Sequence, residues 1–407
     1  MDRRQLLQAG GASLAVNAAG LAPALAQPSP AKLKIDAYSR HLLWLKEPND
    51  VAEAVIEMAF DGLDITVRSQ GGHVDPARVK TDLPVFVNAV RSHGVLVDAI
   101  TTNISDADSP NAEAILDAAS QLGIKHYWWG TYRYDLTKPI QPQIDALKPR
   151  VAALAKLNEK YGMKAMYHNY SGAGTVGNMI FDLLEVLRNF DPRFVSFHYD
   201  TGHAVEAGAN GTWELGMRAA GPYIGGISFK DYAITLDLDV PEGGAFTGTP
   251  EQLNQRGGPP GGPGGPGAGG AGGGGRGGPG AGAPPPAAPP QAAPAAPGGG
   301  RGPGGQGGGR GGRGAPTTGD VRGGGGEPLP WRSHAVPLGT GMVNLPRIAL
   351  VMKDIAFNGP VEIQAEYPNG GADNAGTTIT LPRAQVLGAM KRDLLILRGV
   401  LGPAGLI

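Results

Sequence analysis

The chain contains no cysteine among its 407 residues. That absence excludes disulfides, thiolate metal ligands and a cysteine nucleophile together, and it suits an oxidising compartment. Aromatic residues make up only 6% of the chain, and the formal net charge is −1. A near-neutral balance gives no electrostatic reason to expect nucleic acid as a partner, so a small neutral molecule is the better expectation. No segment reads as a membrane span of the mature protein.

Glycine and proline are abundant instead, 67 and 36 residues, and they are concentrated. From Pro241 to Pro330 the chain is almost wholly Gly, Pro and Ala with scattered Arg. Such a segment cannot bury enough apolar surface to offset the entropy of ordering it, and it is expected to lack fixed structure. Its Arg-Gly-Gly repeats lack the interleaved aromatics on which RNA bases stack, which favours a passive, solvated insertion. At the other end, Met1-Asp-Arg-Arg4 precedes a weakly apolar Gly/Ala/Leu run, and Ala24-Leu-Ala26 offers a small-x-small cleavage site before Gln27. This N-terminus resembles a twin-arginine leader, which implies export to the periplasm or another extracytoplasmic compartment. The expected organisation is a leader over 1–27, the first part of one barrel over 32–240, the insertion over 241–330 and the rest of the barrel over 331–407.

Between these segments, strand-like and helix-like patterns alternate. Leu33 to Tyr38, Gly62 to Val67, Val95 to Ile100, Lys125 to Trp129, Lys164 to Tyr167, Phe194 to Tyr199, Ile224 to Phe229 and Pro360 to Ala365 read as strands. Each leads to a segment of helical period, such as Val51, Ala54, Val55, Met58 and Ala59. Strict alternation argues for a parallel sheet, and eight units argue for closure into a single (β/α)8 TIM barrel. The insertion then interrupts the seventh strand-to-helix connection, at the rim of the face where such barrels carry their active sites.

The strand ends are polar: His41, Arg68 and His73, His168, Asp200 and His203, Lys230 and Asp231, and Glu366. Any one of these is an ordinary cap or packing residue, but a barrel brings all of them to one rim. Trp129, with Trp128 and Tyr132, is placed to offer an aromatic face to a sugar ring, although buried aromatics are more often core. Gly172-Ala-Gly-Thr-Val-Gly177 fits G-x-G-x-x-G, but in this position a lone match is no argument for a nucleotide.

Five stretches carry a family resemblance: Asp64-Ile-Thr-Val-Arg-Ser-Gln-Gly-Gly-His73, Tyr167-His-Asn-Tyr-Ser-Gly172, Tyr199-Asp-Thr-Gly-His203, Phe229-Lys-Asp231 and Gly359-Pro-Val-Glu-Ile-Gln-Ala-Glu-Tyr367. The chain resembles the xylose-isomerase-like barrel superfamily, in its sugar phosphate isomerase/epimerase branch. The resemblance implies a divalent ion held by residues on strands five to eight. Asp200 and Glu366 match that pattern, whereas His168 and Ser228 replace the expected glutamate and histidine. A set of His168, Asp200 and Glu366 suits manganese, zinc or iron rather than magnesium.

The activity so implied is proton abstraction next to the carbonyl of a sugar or keto-sugar, that is, an isomerase or epimerase. Glu366 and His168 are the candidate bases, Asp200 is a ligand or second base, and Lys230 either faces the developing oxyanion or pairs with Asp231 or Asp200. His41, Arg68, His73, Trp129, His203 and Asp231 are the expected substrate contacts. Two alternatives stay open: a 3-keto-glycoside lyase acting by β-elimination on the same barrel, and a periplasmic sugar-binding protein without catalysis. If the leader assignment is right, exported protein begins at Gln27, and replacing both Arg3 and Arg4 by Lys retains the unprocessed chain. N-terminal sequencing of both decides this, and an exported chain that keeps Met1 refutes it.

Overall fold

The computed structural model describes residues 32–172, 174–208, 210–236, 331–368 and 376–407. The stretch over 1–27 that reads as a leader and the segment over 241–330 lie outside the described residues. Eight parallel strands close into a barrel: β1 (Ile35–Tyr38), β2 (Gly62–Thr66), β3 (Ala99–Thr101), β4 (His126–Trp129), β5 (Lys164–His168), β6 (Val195–Asp200), β7 (Ile224–Phe229) and β10 (Val361–Ile363). Closure is made where β1 pairs with both β2 and β10, Asp36 standing opposite Gly62 on one side and Glu362 on the other.

Nine α-helices pack around it among the described residues: α1 (Pro48–Met58), α2 (Val79–Ser92), α3 (Ala112–Gln121), α4 (Ile140–Tyr161), α5 (Phe181–Leu187), α6 (Thr201–Ala207), α7 (Trp213–Ala220), α8 (Leu345–Asp354) and α9 (Arg383–Leu401). α1 shows why the helices form and how they dock. Pro48 occupies its first turn, and Val51, Ala52, Ala54, Val55 and Met58 make one buried stripe. No helix among the described residues is long and apolar enough to cross a membrane.

The strands alternate between two environments. Ile35, Leu63, Ile65, Tyr127, Trp129, Ala165, Tyr167, Phe197, Tyr199, Ile227 and Phe229 join the apolar core beneath the helices. Their sequence neighbours turn into the barrel and are largely polar: Asp36, Asp64, Thr101, His168, His198, Asp200, Ser228, Lys230 and Glu362 are all buried there.

One element has no counterpart in the sequence reading. β8 (Asp231–Leu236) and β9 (Trp331–Val336) form a separate antiparallel ribbon, with Asp231 opposite Val336 and Leu236 opposite Trp331. The chain therefore leaves for the 241–330 segment and returns from it along paired backbone. Asp231 anchors this ribbon rather than facing a ligand, which corrects its expected role as a substrate contact. Its Oδ1 accepts from the N–H groups of Tyr232 and Val343, both at 2.9 Å, and its Oδ2 from those of Gly339 and Gly341 at 3.0 and 2.9 Å. The approach is so close that a Cβ on Gly341 would lie 2.3 Å from the Tyr232 carbonyl oxygen. Removing a buried carboxylate leaves four donors unpaired, so Asp231→Ala is expected to cost roughly 3 kcal/mol or more of stability in urea melts. Unchanged stability with weakened sugar binding would restore the substrate-contact role.

Candidate active site

β6 delivers the central group. Asp200 ends the strand and caps α6, its Oδ1 accepting from the His203 N–H at 2.7 Å. The same carboxylate turns its Oδ2 into the barrel mouth, where it meets His168 Nε2 and Lys230 Nζ, each at 3.1 Å, and Ser228 Oγ at 3.2 Å. Asn169 locks the end of β6 to β5, accepting from the Asp200 N–H at 2.7 Å and donating to its carbonyl at 3.2 Å. Burial pushes the Asp200 carboxyl up, but the charge of Lys230, followed by His203 and the His168 hydrogen bond, outweighs it and holds the group far below the carboxylate range. Asp200 is thus an anion, and an anion can only accept; His168 must donate from Nε2, leaving its lone pair on Nδ1. That Nδ1 is buried and has no partner.

Lys230, just beyond β7, reaches His203 Nε2 at 2.8 Å and Glu366 Oε2 at 3.2 Å. Glu366 is held at about 2: burial raises its carboxyl, but Lys230 more than offsets that. Burial alone would lower the Lys230 amine, yet Asp200 and Glu366 carry it well above its ordinary value. Behind His203, Ser171 Oγ lies 2.9 Å from Nδ1 and donates to Glu206 Oε2 at 2.5 Å. Ser171 and Glu206 were absent from the expected site. Glu206 follows His203 by one helical turn, a spacing that signals a pair only once residues 201–207 are known to be helical.

An aromatic wall completes the mouth. Trp128 packs at 4.3 Å from His168 and 6.3 Å from Tyr170 between ring centroids, and the Arg68 guanidinium lies 4.8 Å over its ring. Arg68 also donates to the Thr102 carbonyl at 3.2 and 3.3 Å. His41 is 1% exposed, stands edge-on to Tyr38 and has neither ring nitrogen paired; burial holds it at about 4. Arg40 lies near Glu366, Tyr38 and Tyr170.

Two expected contacts fall elsewhere. Trp129 points outward into the helix layer, its Nε1 donating to the Ser105 carbonyl at 2.9 Å, because adjacent strand residues face opposite ways and the lumen position belongs to Trp128. His73 spends both nitrogens on the protein itself, on Thr66 Oγ1 at the end of β2 at 3.4 Å and on the Leu45 carbonyl between β1 and α1 at 3.3 Å. The glycine-rich loop after β5 is tied to its neighbours, Gly177 N–H donating to the Asp182 carboxylate in α5 and the Gly174 carbonyl accepting from the Tyr134 N–H at 2.7 Å.

Below the mouth, Asp36, Asp64, His198 and Glu362 meet around one narrow space. Burial, reinforced by the neighbouring acids, pushes Asp36 and Glu362 well above the carboxylate range. It carries Asp64 to about 7, against the hydrogen bond donated by Thr101. Burial holds His198 at about 3 and His168 at about 4, both neutral in ordinary buffers.

The donor types at the mouth are those of a transition-metal site, and ligand atoms of His168, Asp200 and His203 lie within 4.8 Å of one another. The Lys230 ammonium stands against two of the three, so seating a divalent ion there requires the amine to leave or to lose its proton.

The family model described as "Xylose isomerase-like TIM barrel" matches residues 52–258. No curated protein matches the chain. A solved D-psicose 3-epimerase from Clostridium cellulolyticum H10 is similar in fold, with a TM-score of 0.51 at 13% identity over 91% of this chain and 99% of that one. A xylose isomerase domain protein from Planctomyces limnophilus gives a TM-score of 0.50 at 12% identity over 87% and 93%.

His198 gives a test of the site's ionisation. A histidine held below its unfolded value near 6.5 stabilises the fold above that pH, and the contribution is lost as the pH falls towards the folded value. His198→Gln should therefore lose less stability than the unaltered chain between pH 6.5 and 4.5, by roughly 2 kcal/mol in urea melts. Parallel losses would mean that the ring is not held neutral.

Proposed function

Because the chain belongs to the xylose isomerase-like TIM barrel family, we propose that it is a sugar or keto-sugar isomerase or epimerase that moves a proton next to a carbonyl. The observation that carries this reading is the His168–Asp200 pair with its unpaired Nδ1. A weak carbon acid needs a base already deprotonated, oriented and shielded from water, with an anion behind it to stabilise the imidazolium that forms. Burial keeps the His168 ring neutral in the resting site, and Asp200 supplies the anion. The negative charge that develops on the carbonyl oxygen needs a fixed cation, which Lys230 provides. Glu366, ionised beside Lys230, is the second proton acceptor and donor.

Trp128 and Tyr170 supply aromatic faces for the apolar side of a sugar ring, and Arg68, Arg40 and His41 supply polar contacts to hydroxyls. The similar solved structures support this reading through their fold, one of them being named a D-psicose 3-epimerase. The enzyme works in an extracytoplasmic compartment on this reading, supported by the leader-like N-terminus and the absence of cysteine.

The test is ketoses and 3-keto-glycosides incubated in deuterated water and followed by NMR. The unaltered chain should place deuterium on the carbon next to the carbonyl and yield an isomer heavier than the substrate only by that deuterium, while His168→Ala and Glu366→Gln lower the rate about 10²–10⁴-fold. A cleaved glycoside would replace this reading with β-elimination. Bound but unexchanged sugar would replace it with a binding protein.

A further inference from the structure

Lys230 Nζ is enclosed by acceptors on every side that carries one of its protons. His203 Nε2 lies at 2.8 Å, Asp200 Oδ2 at 3.1 Å, Glu366 Oε2 at 3.2 Å and Gln364 Oε1 at 3.4 Å. Two carboxylates, an imidazole and an amide oxygen, brought from β6, α6 and the segment after β10, converge on one point. Convergent anionic and neutral donors are how a protein seats a cation, and here the cation is its own. An ammonium has three protons and nothing to accept with, so it can donate to three of these four acceptors at any one time.

The lysine is also held in place along its length. Its side chain is 2% exposed. A Cβ on Gly202 would lie 2.6 Å from Lys230 Cγ, so α6 closes directly onto the stem. Tyr232 places its ring 5.7 Å from Nζ. The amine has little room to swing aside for another ion. Asp200 and Glu366 keep it charged in spite of its burial.

We infer that the Lys230 ammonium is the resident cation of this site, occupying the seat formed by Asp200, Glu366, His203 and Gln364, and that a divalent-metal site is uncovered only when the amine is removed. Its catalytic consequence, proton transfer without a divalent metal, rests on the proposed isomerase reading. The occupancy of the seat does not.

The experiment is a manganese and zinc titration of the full chain after chelation, followed by calorimetry and thermal melting, alongside Lys230→Ala and Lys230→Met. The unaltered chain should show no stoichiometric binding at micromolar metal. Lys230→Ala should bind one ion at least about a hundredfold more tightly, because two carboxylates then lack their counter-charge, and adding Asp200→Asn should abolish that gain. Lys230→Met keeps the stem and its packing against Gly202 and Tyr232, so it decides the matter if the alanine variant does not fold. One tightly bound ion in the unaltered chain overturns the inference, as do folded variants that bind metal no better than it does. If neither variant folds, the titration of the unaltered chain decides alone. No arm reads turnover, so the absence of isomerase activity leaves these outcomes interpretable.

Discussion

The ion pair between Asp200 and Lys230, sealed into the mouth of the barrel, is the constraint on which the rest of the site depends. A buried charge is tolerated only when countered and hydrogen-bonded, and either partner alone would be strongly destabilising. Asp200 meets that condition by dividing its oxygens. Oδ1 caps α6, and Oδ2 collects His168, Lys230 and Ser228. The carboxylate therefore sets the start of a helix, the tautomer of His168 and the position of the lysine at once.

Two further consequences run outward from that pair. Lys230 must donate to His203 Nε2, so the His203 Nδ1 side is left to Ser171 and, through it, to Glu206. On the other flank Lys230 holds Glu366 ionised and Gln364 oriented, and Gln364 in turn donates to Glu362 in the layer below at 2.6 Å. The mouth is charged, while the acids beneath it are pushed towards their neutral forms by burial and by one another. Lys230 reaches the upper layer, where it is paired with Asp200 and Glu366.

Much of this architecture was legible in the chain. Alternating strand and helix patterns, with polar residues at the strand ends, pointed to the barrel and to the rim where His168, Asp200, His203, Lys230 and Glu366 meet. Trp129 shows where such reading stops. One-residue parity decides whether a strand side chain enters the lumen or the helix layer, and Tyr127-Trp128-Trp129 offers aromatic side chains to both. Asp231 misled for a related reason. A carboxylate two residues past a strand looks like a rim group, and its four backbone partners, three of them more than a hundred positions away, carry no mark in the local sequence.

The sequence by itself determined the eight barrel strands and most of the helices between them, because periodicity, caps and turn residues act over a few positions; the β8–β9 ribbon and α6 were not among them. It also determined that cysteine chemistry is absent and which polar residues end each strand. Only the tertiary structure decided which atoms share a site. Closure of the barrel brings residues 168, 200, 203, 230 and 366 together from four chain segments. It also decided that the charge at their centre is an ammonium, because the Lys230 stem is held by Gly202 and Tyr232, contacts that exist only once α6 folds back over the end of β7.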